Sequence, residues 1–452
     1  MKIHYLVTSL ETGGAEFTIP DIIKALEQFG HQVDVTACEA RDMGAAPYLE
    51  RAGIPYRLLD TERRNFFLTL FRILRLLIKN RPDIIWTSLS RATLLGQLAG
   101  KILNIPVVSW KNSASIRFTT TVGRPFTRLW VADSYYVARF LHEKMNIPPE
   151  KITAWPLYVA APNTHPAPDW NGQTRLHIGS TGRLHEVKNY PLLIEGIALF
   201  RERHPQWADL VHLSFAGDGP QRAELETLIQ KYGLEKHVSL KGFQTNVSAF
   251  LSTLQLYAQP SRYEGMCLAA HEAMNMSLPV IATPVGEMRN SVQPGKTGFL
   301  LQPDRIPETF CDILAEIFQN PSLLHRYGEA AKQHIQQHYS REVFLQRCKQ
   351  ISERLLGDLE ETITEYHAST HSVRGNHFRF QRHTHQDGRL AFNNGFRAAL
   401  TILITSFIAN LWAGCHERKP RTGNNKISQR ACRKMVCGLG SLFHLYSHGH
   451  DI

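Results

Sequence analysis

Glu264 and Glu272 are the two carboxylates whose spacing first suggests chemistry in this chain. They stand eight residues apart in the stretch SRYEGMCLAAHEAMNMSLP, around the start of a predicted helix. A helix that began at once would separate them by about 12 Å, and its free N–H groups at residues 265–268 would face an anion placed there. One acid could hold a sugar hydroxyl and the other a ribose, with a diphosphate at the helix end. The simpler alternative is a solvated carboxylate plus a helix cap.

Two glycine-rich turns provide the space and the positive charge that a diphosphate requires. The segment IGSTGRLHEVKN predicts a strand ending at Ile178, then a tight loop, with Arg183 and Lys188 five residues apart. Small residues let the backbone approach a phosphate, and the two cations can neutralise a departing diphosphate. The segment LSFAGDGPQRAELE predicts a second strand ending at Ala216 and a helix beginning near Gln221. Taken singly, each turn also fits solvated cations and an ordinary strand-to-helix connection.

Five segments in this order resemble the C-terminal domain of the family 4 glycosyltransferases, which are retaining enzymes of the GT-B fold. The opening MKIHYLVTSLETGGAEFTIPDIIKAL is also similar to that family, with a first strand, a glycine loop and a helix. The five segments, which together span residues 179–301, are GSTGRLHEVKN, FAGDGPQRAELE, VSLKGF, PSRYEGMCLAAHEAM and PVIATPVGEMRNSVQPGKTGFLL.

The resemblance implies a role for each matched position. Arg183 and Lys188 stand where the family neutralises the donor diphosphate, and Glu264 stands where an acid contacts the donor sugar. Glu272 matches the acid that holds the nucleotide ribose. The implied backbone contacts to sugar, phosphate or donor are those of Gly265, Met266, Cys267, Gly13 and Gly14.

The resemblance also implies transfer with retention and without a metal cofactor. In the family, the acceptor attacks the sugar on the same face from which the phosphate leaves, and that phosphate helps to deprotonate the acceptor. Independently, no two Asp residues in this chain stand two apart, so the D-x-D metal signature is absent. We therefore expect Arg183, Lys188 and the helix end to supply the electrostatic stabilisation.

Two segments depart from the family pattern. Many relatives carry an acceptor-side histidine after a PVV-type strand, whereas this chain reads IPVVSWKNSAS and has no His between His31 and His142. The polar residues that could replace that histidine, or could be plain loop residues, are Lys111, Asn112 and Ser113. The segment WPLYVA stands where relatives more often have an Asn-Gly pair at the start of the interdomain linker.

The surrounding elements predict an α/β protein of the GT-B type, with two Rossmann-like parallel-sheet domains facing a cleft and a basic C-terminal extension. A chain of 452 residues exceeds what one core usually supports, and strand-like runs alternate with helical stretches. We expect the site in the cleft, where the carboxyl ends of both sheets meet. The predicted parts are an N-terminal acceptor-side domain at 1–160, a linker at 161–174, a nucleotide-sugar domain at 175–339, a helix crossing back at 340–357 capped by Ser340, and a tail at 367–452.

Charge and hydropathy raise the question of a membrane. The segment NFFLTLFRILRLLIKN predicts a helix with Arg72, Arg75 and Lys79 on one face, suited either to an anionic leaflet or to packing on the sheet with a basic stripe in water. The tail holds twelve Lys and Arg against three Asp and Glu. Its uncharged run of 18 residues, Ala398 to Cys415, leaves open a membrane span, a peripheral attachment or an appended segment without an inferred role.

The remaining features favour a cytoplasmic enzyme. The chain opens without a long apolar signal core, and its seven scattered cysteines are typical of free thiols in a reducing compartment. His and Cys pairs in the tail, at 383 and 385 and at 432 and 437, match no structural zinc spacing. Nucleic-acid binding through the tail, with Phe378 and Phe380 as stacking groups, is a weak alternative.

The predicted function is transfer of a sugar from a nucleotide sugar, with UDP-sugars favoured, to a glycan or lipid-linked acceptor in surface polysaccharide or lipopolysaccharide synthesis. The predicted partners are that donor, that acceptor and a peripheral membrane contact, and no cofactor is expected. The alternative is a non-catalytic carbohydrate- or membrane-binding protein on the same fold, favoured by the missing histidine and the long tail. The four charged residues at 183, 188, 264 and 272 favour the enzyme.

Overall fold

The structure is a computed structural model that describes residues 1–116, 118–160 and 169–372. Residues 1–366 pack as one compact unit that contains two parallel sheets with helices on their faces. The predicted tail features beyond 372, and part of the predicted linker, lie outside the described residues. The predicted GT-B architecture of two Rossmann-like sheets is confirmed.

The first sheet has seven parallel strands in the order β3-β2-β1-β4-β5-β6-β7. Its central strands are buried on both faces, which accounts for their nearly continuous apolar runs. The strand order reverses between β1 and β4, and ligands in such sheets bind at that point. The strands are β1 Lys2–Val7, β2 Gln32–Ala37, β3 Tyr56–Leu58, β4 Ile84–Ser88, β5 Val107–Lys111, β6 Leu129–Ala132 and β7 Ile152–Ala154.

The second sheet has six parallel strands in the order β10-β9-β8-β11-β12-β13, with its reversal between β8 and β11. Strand β8 runs three residues beyond the predicted end at Ile178, because Gly179, Ser180 and Thr181 continue the parallel pairing with Ser214 to Ala216. The strands are β8 Leu176–Thr181, β9 Val211–Ala216, β10 Val238–Gly242, β11 Leu256–Gln259, β12 Val280–Ala282 and β13 Gly298–Leu300.

Crossover helices connect successive strands, as parallel pairing requires. The predicted helix near Gln221 begins at Arg222. Helices α1 to α7 are Gly14–Phe17, Ile19–Gln28, Ala46–Arg51, Phe66–Asn80, Ser90–Leu103, Phe118–Val122 and Tyr135–Glu143. Helices α8 to α15 are Pro191–Arg203, Arg222–Lys231, Val247–Leu251, Leu268–Asn275, Met288–Ser291, Ile306–Gln319, Ser322–His338 and Arg341–Ser372.

The last helix, α15, returns to the first sheet. Trp155, which follows β7, stacks on Phe344 at 4.9 Å between ring centroids and donates its indole N–H to the Phe344 carbonyl at 3.0 Å. Ser340 accepts a hydrogen bond from the Val343 amide at 3.4 Å, as the predicted cap would. The helix runs past the predicted end at 357, to Ser372.

Helix α4 packs its apolar face on the first sheet through Ile73, Leu74 and Leu77, which are buried. Of the three cations predicted on one face, Arg75 and Lys79 are exposed, and Arg72, whose side chain is 41% exposed, pairs with Asp60. Among the residues described, no helix combines the length and hydropathy that a membrane span requires.

Candidate active site

The predicted residues Lys188 and Glu264 follow the carboxyl ends of β8 and β11, where the strand order of the second sheet reverses. Lys188 and Glu264 meet there: the ammonium nitrogen lies 2.8 Å from the carboxylate Oε1. Their side chains are 20% and 13% exposed, so the pair is largely shielded and still open to a ligand. Burial alone would lower the pKa of Lys188, but the adjacent Glu264 carboxylate outweighs it and the pKa is raised. Lys188 is therefore a fixed cation at the strand ends.

A chain of polar side chains holds the Glu264 carboxylate in place. Ser261 donates to its Oε1 at 2.6 Å, and the Gln259 amide lies 3.4 Å from the same oxygen. Tyr257 in turn donates a hydrogen bond to the side-chain oxygen Oε1 of Gln259 at 3.0 Å. These three partners come from β11 and the turn after it, so the sheet itself fixes the acid. Sequence reasoning missed them, although they stand three, five and seven residues before the candidate acid, which was a usable signal.

The loop that carries Lys188 is ordered by its own turn. Residues Glu186–Lys188 form a 3₁₀ turn. The Val187 amide in this turn donates a hydrogen bond to the His185 ring nitrogen at 3.3 Å. The Val187 carbonyl then accepts the Arg262 amide at 2.8 Å, which ties this loop to the one carrying Glu264. The ion pair thus joins two loops that are already connected through the backbone.

Two glycines let the predicted phosphate loops touch. A side chain at Gly217 would place its Cβ 1.9 Å from the Gly182 carbonyl oxygen, a backbone atom that cannot move aside easily. The Gly182 amide donates to the Ala216 carbonyl at 3.0 Å, so the two loops are bonded as well as close. The turns predicted from IGSTGRLHEVKN and LSFAGDGPQRAELE therefore form one surface.

Arg183 projects from this surface toward the first domain. Its side chain is exposed, and its positive charge interacts electrostatically with Asp42, on the loop after β2. The pKa of Asp42 is lowered by hydrogen bonds from the amides of Gly44 and Thr12, with a smaller contribution from Arg183. Arg183 thus lies at the opening between the domains, and the structure does not pair it with Glu264 as it pairs Lys188.

The segment after Glu264 presents unpaired backbone donors. Among the described residues, no group accepts a hydrogen bond from the amides of Gly265, Met266 or Cys267. Cys267 has a left-handed backbone, with φ of 58°, and precedes helix α11, which begins at Leu268. The helix therefore starts four residues after Glu264, and the separation of about 12 Å expected for an uninterrupted helix does not apply. The free amides and the helix start would still favour an anion placed beside them.

Glu272 stands in the second turn of α11, where its side chain keeps contact with solvent. The protein packed around its carboxyl nevertheless displaces enough water to raise its pKa to about 7. Its side chain makes no ion pair among the described residues. A ribose diol would give this carboxylate the hydrogen-bond donors that it lacks.

The predicted Gly13 and Gly14 lie on the first domain, after β1. Gly13 has an extended backbone, with φ of −167°, and a Cβ there would lie 2.3 Å from a carboxylate oxygen of Glu16. Glu16 is buried, and that burial raises the pKa of its carboxyl to about 7. Glycine at 13 therefore makes room for an acid, and open space surrounds Gly14.

The acceptor-side candidates lie after β5, in the wall of a small pocket also lined by Leu89, Thr93 and Trp110. The buried ammonium of Lys111 donates to the Ser115 carbonyl at 2.9 Å and to the Ser113 hydroxyl at 3.3 Å. Lys111 and Ser113 thus fix the loop that Asn112 belongs to.

The loop after β5, which contains Asn112, and the segment after Glu264, here called the donor loop for its predicted role, touch directly. A Cβ built on Gly265 would lie 2.6 Å from the Asn112 carbonyl oxygen and 3.2 Å from an Asp133 carboxylate oxygen. This contact brings Glu264 to the edge of the first domain. No group of three or more His, Cys, Asp or Glu suited to a metal occurs in the parts of the chain that the structure describes.

Two family models match the two halves of this arrangement. The Glycosyltransferase Family 4 model matches residues 12–160, and the Glycosyl transferases group 1 model matches residues 168–334. The second match contains Arg183, Lys188, Glu264 and Glu272, and the first contains Gly13 and Gly14.

Individual proteins resemble the chain either in sequence over part of its length or in fold over most of it. An alpha-D-kanosaminyltransferase of Streptomyces kanamyceticus is 32% identical over 152 residues, 33% of this chain and 38% of that protein. A crystal structure of Anabaena Alr3699/HepE with UDP and glucose has a TM-score of 0.65 and 21% identity, covering 78% of this chain and 99% of that one. The apo structure of the lipopolysaccharide outer core galactosyltransferase WaaB has a TM-score of 0.64 and 18% identity, and the match covers 77% of this chain and 98% of that one.

The sequence matches are shorter than the relatives themselves. The chain spans between 35% and 53% of the length of the curated relatives that it matches, whereas the Anabaena and WaaB structures are covered to 99% and 98%. With both halves matched by family models and both sheets in the GT-B arrangement, the chain belongs to the family 4 glycosyltransferases.

Proposed function

We propose that the protein is a retaining, metal-independent glycosyltransferase that moves a sugar from a UDP-sugar to a glycan or lipid-linked acceptor. The Lys188–Glu264 pair carries this proposal, because it sets a buried cation beside an acid at the strand ends, next to three unpaired amides. UDP is favoured because the Anabaena structure of the same fold holds UDP and glucose. The galactosyltransferase of the lipopolysaccharide outer core supports a surface-glycan setting.

In the proposed reaction, the bond between the sugar C1 and the diphosphate oxygen breaks while the acceptor oxygen bonds to C1 on the same face. The acceptor proton passes to the departing phosphate oxygen. Lys188 and Arg183 neutralise the charge that grows on that diphosphate, which is the largest electrostatic demand of the step. Glu264 accepts a hydrogen bond from a sugar hydroxyl, Glu272 accepts from the ribose, and the amides after Glu264 donate to sugar or phosphate oxygens.

The proposal that no metal is needed rests on the positive charges that the chain itself supplies. Two cations and a helix start together can offset the charge of a diphosphate, which other transferases offset with a divalent metal held by a D-x-D sequence. This chain has no D-x-D sequence. Added chelator is therefore expected to leave the reaction unchanged.

The configuration of the sugar released from the donor tests the reaction class without an acceptor. Purified protein with excess EDTA is incubated with α-linked UDP-glucose, UDP-galactose and UDP-N-acetylglucosamine, and the first sugar released by slow hydrolysis is followed by proton NMR. We expect the α-anomer to appear first with one donor. Initial release of the β-anomer would contradict retention, and release only with added metal would contradict metal independence. Folded protein that hydrolyses none of the donors would favour the non-catalytic carbohydrate-binding alternative.

We further propose that the protein works on the cytoplasmic face of a membrane. The cysteines at 38, 267, 311 and 348 are free thiols, as in a reducing compartment. On α4, the exposed Leu68, Phe71 and Ile78 recur at helical spacing beside Arg75 and Lys79. An apolar face flanked by cations suits an anionic leaflet and a lipid-linked acceptor.

Vesicle binding by a charge variant of α4 tests this membrane contact. Each Lys or Arg near an anionic surface contributes about 1 kcal/mol, so Arg75→Gln/Lys79→Gln is expected to weaken binding to phosphatidylserine-containing vesicles roughly 30-fold. Neutral phosphatidylcholine vesicles should not distinguish the proteins. The control Lys236→Gln/Lys241→Gln removes two exposed cations of the second domain and is expected to bind like the wild type. Equal binding by both variants would remove α4 from the membrane contact.

A further inference from the structure

Glu287 is a fully buried carboxylate at the junction of the two domains, and the proposed reaction gives it no role. Its Oε2 accepts a hydrogen bond from the backbone amide of Tyr136 at 2.8 Å. Tyr136 stands in the first turn of α7, in the first domain, whereas Glu287 follows β12 of the second. The carboxylate therefore completes the N-terminus of a helix that belongs to the other domain, where negative charge is favourable.

The other oxygen of Glu287 connects to the segment before α15. Its Oε1 accepts from the Tyr339 hydroxyl at 2.8 Å and from the Asn290 side-chain amide at 3.1 Å. Tyr339 also bonds the first domain through its carbonyl, which accepts the Val159 amide at 2.9 Å. One carboxylate thus joins both domains and the segment by which the chain returns.

The backbone of Glu287 holds the donor loop. Its amide donates to the Gly265 carbonyl at 2.9 Å, one residue from Glu264. The preceding residue must be glycine, because with a φ of +55° a Cβ at Gly286 would lie 2.5 Å from that same carbonyl oxygen. Gly265 in turn lies against Asn112 and Asp133 of the first domain.

A second polar path runs from the same loop back to Glu287. The His271 Nδ1 lies 3.0 Å from the Cys267 carbonyl and its Nε2 lies 2.8 Å from the Ser291 hydroxyl. The Ser291 hydroxyl lies 3.3 Å from the Tyr339 hydroxyl, which bonds Glu287. Burial lowers the pKa of His271 to about 4, so the ring is neutral and donates its Nδ1–H to the Cys267 carbonyl.

We infer that Glu287 is a positioning residue that fixes the distance between the donor-sugar acid Glu264 and the acceptor side of the first domain. It bonds the Gly265 carbonyl through its amide and the start of α7 through its carboxylate, so the two domains can separate only by breaking buried hydrogen bonds. Glu287 also lies close enough to affect Asp133: burial and then the Glu287 charge raise the pKa of the Asp133 carboxyl to about 7. The proposed function supplies the role of Glu264, while the connection itself rests on the contacts alone.

Hydrogen exchange on the full chain tests the connection without any substrate. Glu287→Gln keeps the size of the side chain but leaves one acceptor oxygen for three donors. We expect the amides of Tyr136 and of residue 287 to exchange at least tenfold faster than in wild type, after correction for intrinsic rates. Tyr339→Phe removes one of the same bonds, leaves residue 287 unchanged and should act in the same direction. The control Glu202→Gln, an exposed acid of α8, should alter neither amide.

Two outcomes would overturn the inference. Faster exchange at Tyr136 with unchanged exchange at residue 287, in both variants, would mean that Glu287 only caps α7.

Where a donor is hydrolysed, Glu287→Gln should lower kcat at least tenfold and leave the nucleotide Kd within threefold. An equal loss in Kd would make Glu287 a binding residue instead. Failure of all nucleotides to bind would contradict the proposed function and leave the exchange result standing.

Discussion

Replacing Lys188 by methionine is expected to lower turnover of the donor by about 10² to 10³, the usual effect of losing one preorganised contact to a transition state. Methionine keeps the apolar stem of the side chain and removes only the cation, so the loop should keep its packing. The physical reason is the position of the ammonium, 2.8 Å from Glu264 and four-fifths shielded from water. Charge in such a place stabilises a departing diphosphate more strongly than an exposed charge does.

The measurement is the initial rate of UDP release from a saturating UDP-sugar, with the unfolding temperature recorded for each protein. The control Lys101→Met changes an exposed lysine of α5, away from the strand ends of the second sheet, and should keep the wild-type rate. Near-normal turnover in Lys188→Met would remove this cation from the mechanism. A rate that fell together with the unfolding temperature would point to a structural role.

Most of the fold could be predicted because its elements are marked locally. Strand β9 ends at Ala216 as predicted, since a buried parallel strand is a short apolar run bounded by turn residues. Strand β8 ended later than predicted, because Gly179 to Thr181 have no apolar pattern and join the strand only by pairing with β9 and, at Gly179, with β11. Pairing of that kind is a tertiary effect.

The candidate site could be predicted in its residues and not in its contacts. Arg183, Lys188, Glu264 and Glu272 were found from their spacing and the family resemblance, and their catalytic and binding roles stay predictions. The Lys188–Glu264 bond joins residues 76 apart in the chain, which no local pattern reveals. The supporting Gln259 and Ser261 stand only five and three residues before Glu264, so a local signal for them existed and was missed.

Glu287 shows where sequence reasoning stops. Its segment, PVIATPVGEMRNSVQPGKTGFLL, was one of those that carried the resemblance, yet the acid itself received no role. Its three acceptor bonds reach residues before and after it in the chain, one of them 151 positions away. A buried acid of this kind is recognised only when its partners are seen.

The second large effect concerns binding. In the proposed site, the exposed Arg183 and the shielded Lys188 both neutralise the diphosphate, so removing both should abolish nucleotide affinity, whereas removing one should weaken it. A ligand at about 100 times its dissociation constant stabilises the native state by about 2.7 kcal/mol, and this stabilisation should vanish in Arg183→Ala/Lys188→Ala. The reason is that no other described cation forms part of the contacts around Glu264.

The central claim, a diphosphate site built from the chain's own cations, is tested most directly by a thermal-shift screen of UDP, GDP, ADP and CMP with excess EDTA. The proteins compared are the wild type, Arg183→Ala/Lys188→Ala and the exposed-lysine control Lys101→Ala/Lys236→Ala. We expect one nucleotide, UDP, to stabilise the wild type and the control and to leave the double variant unchanged. Absence of any shift in folded wild type, or an equal shift in the Arg183→Ala/Lys188→Ala protein, would contradict the account.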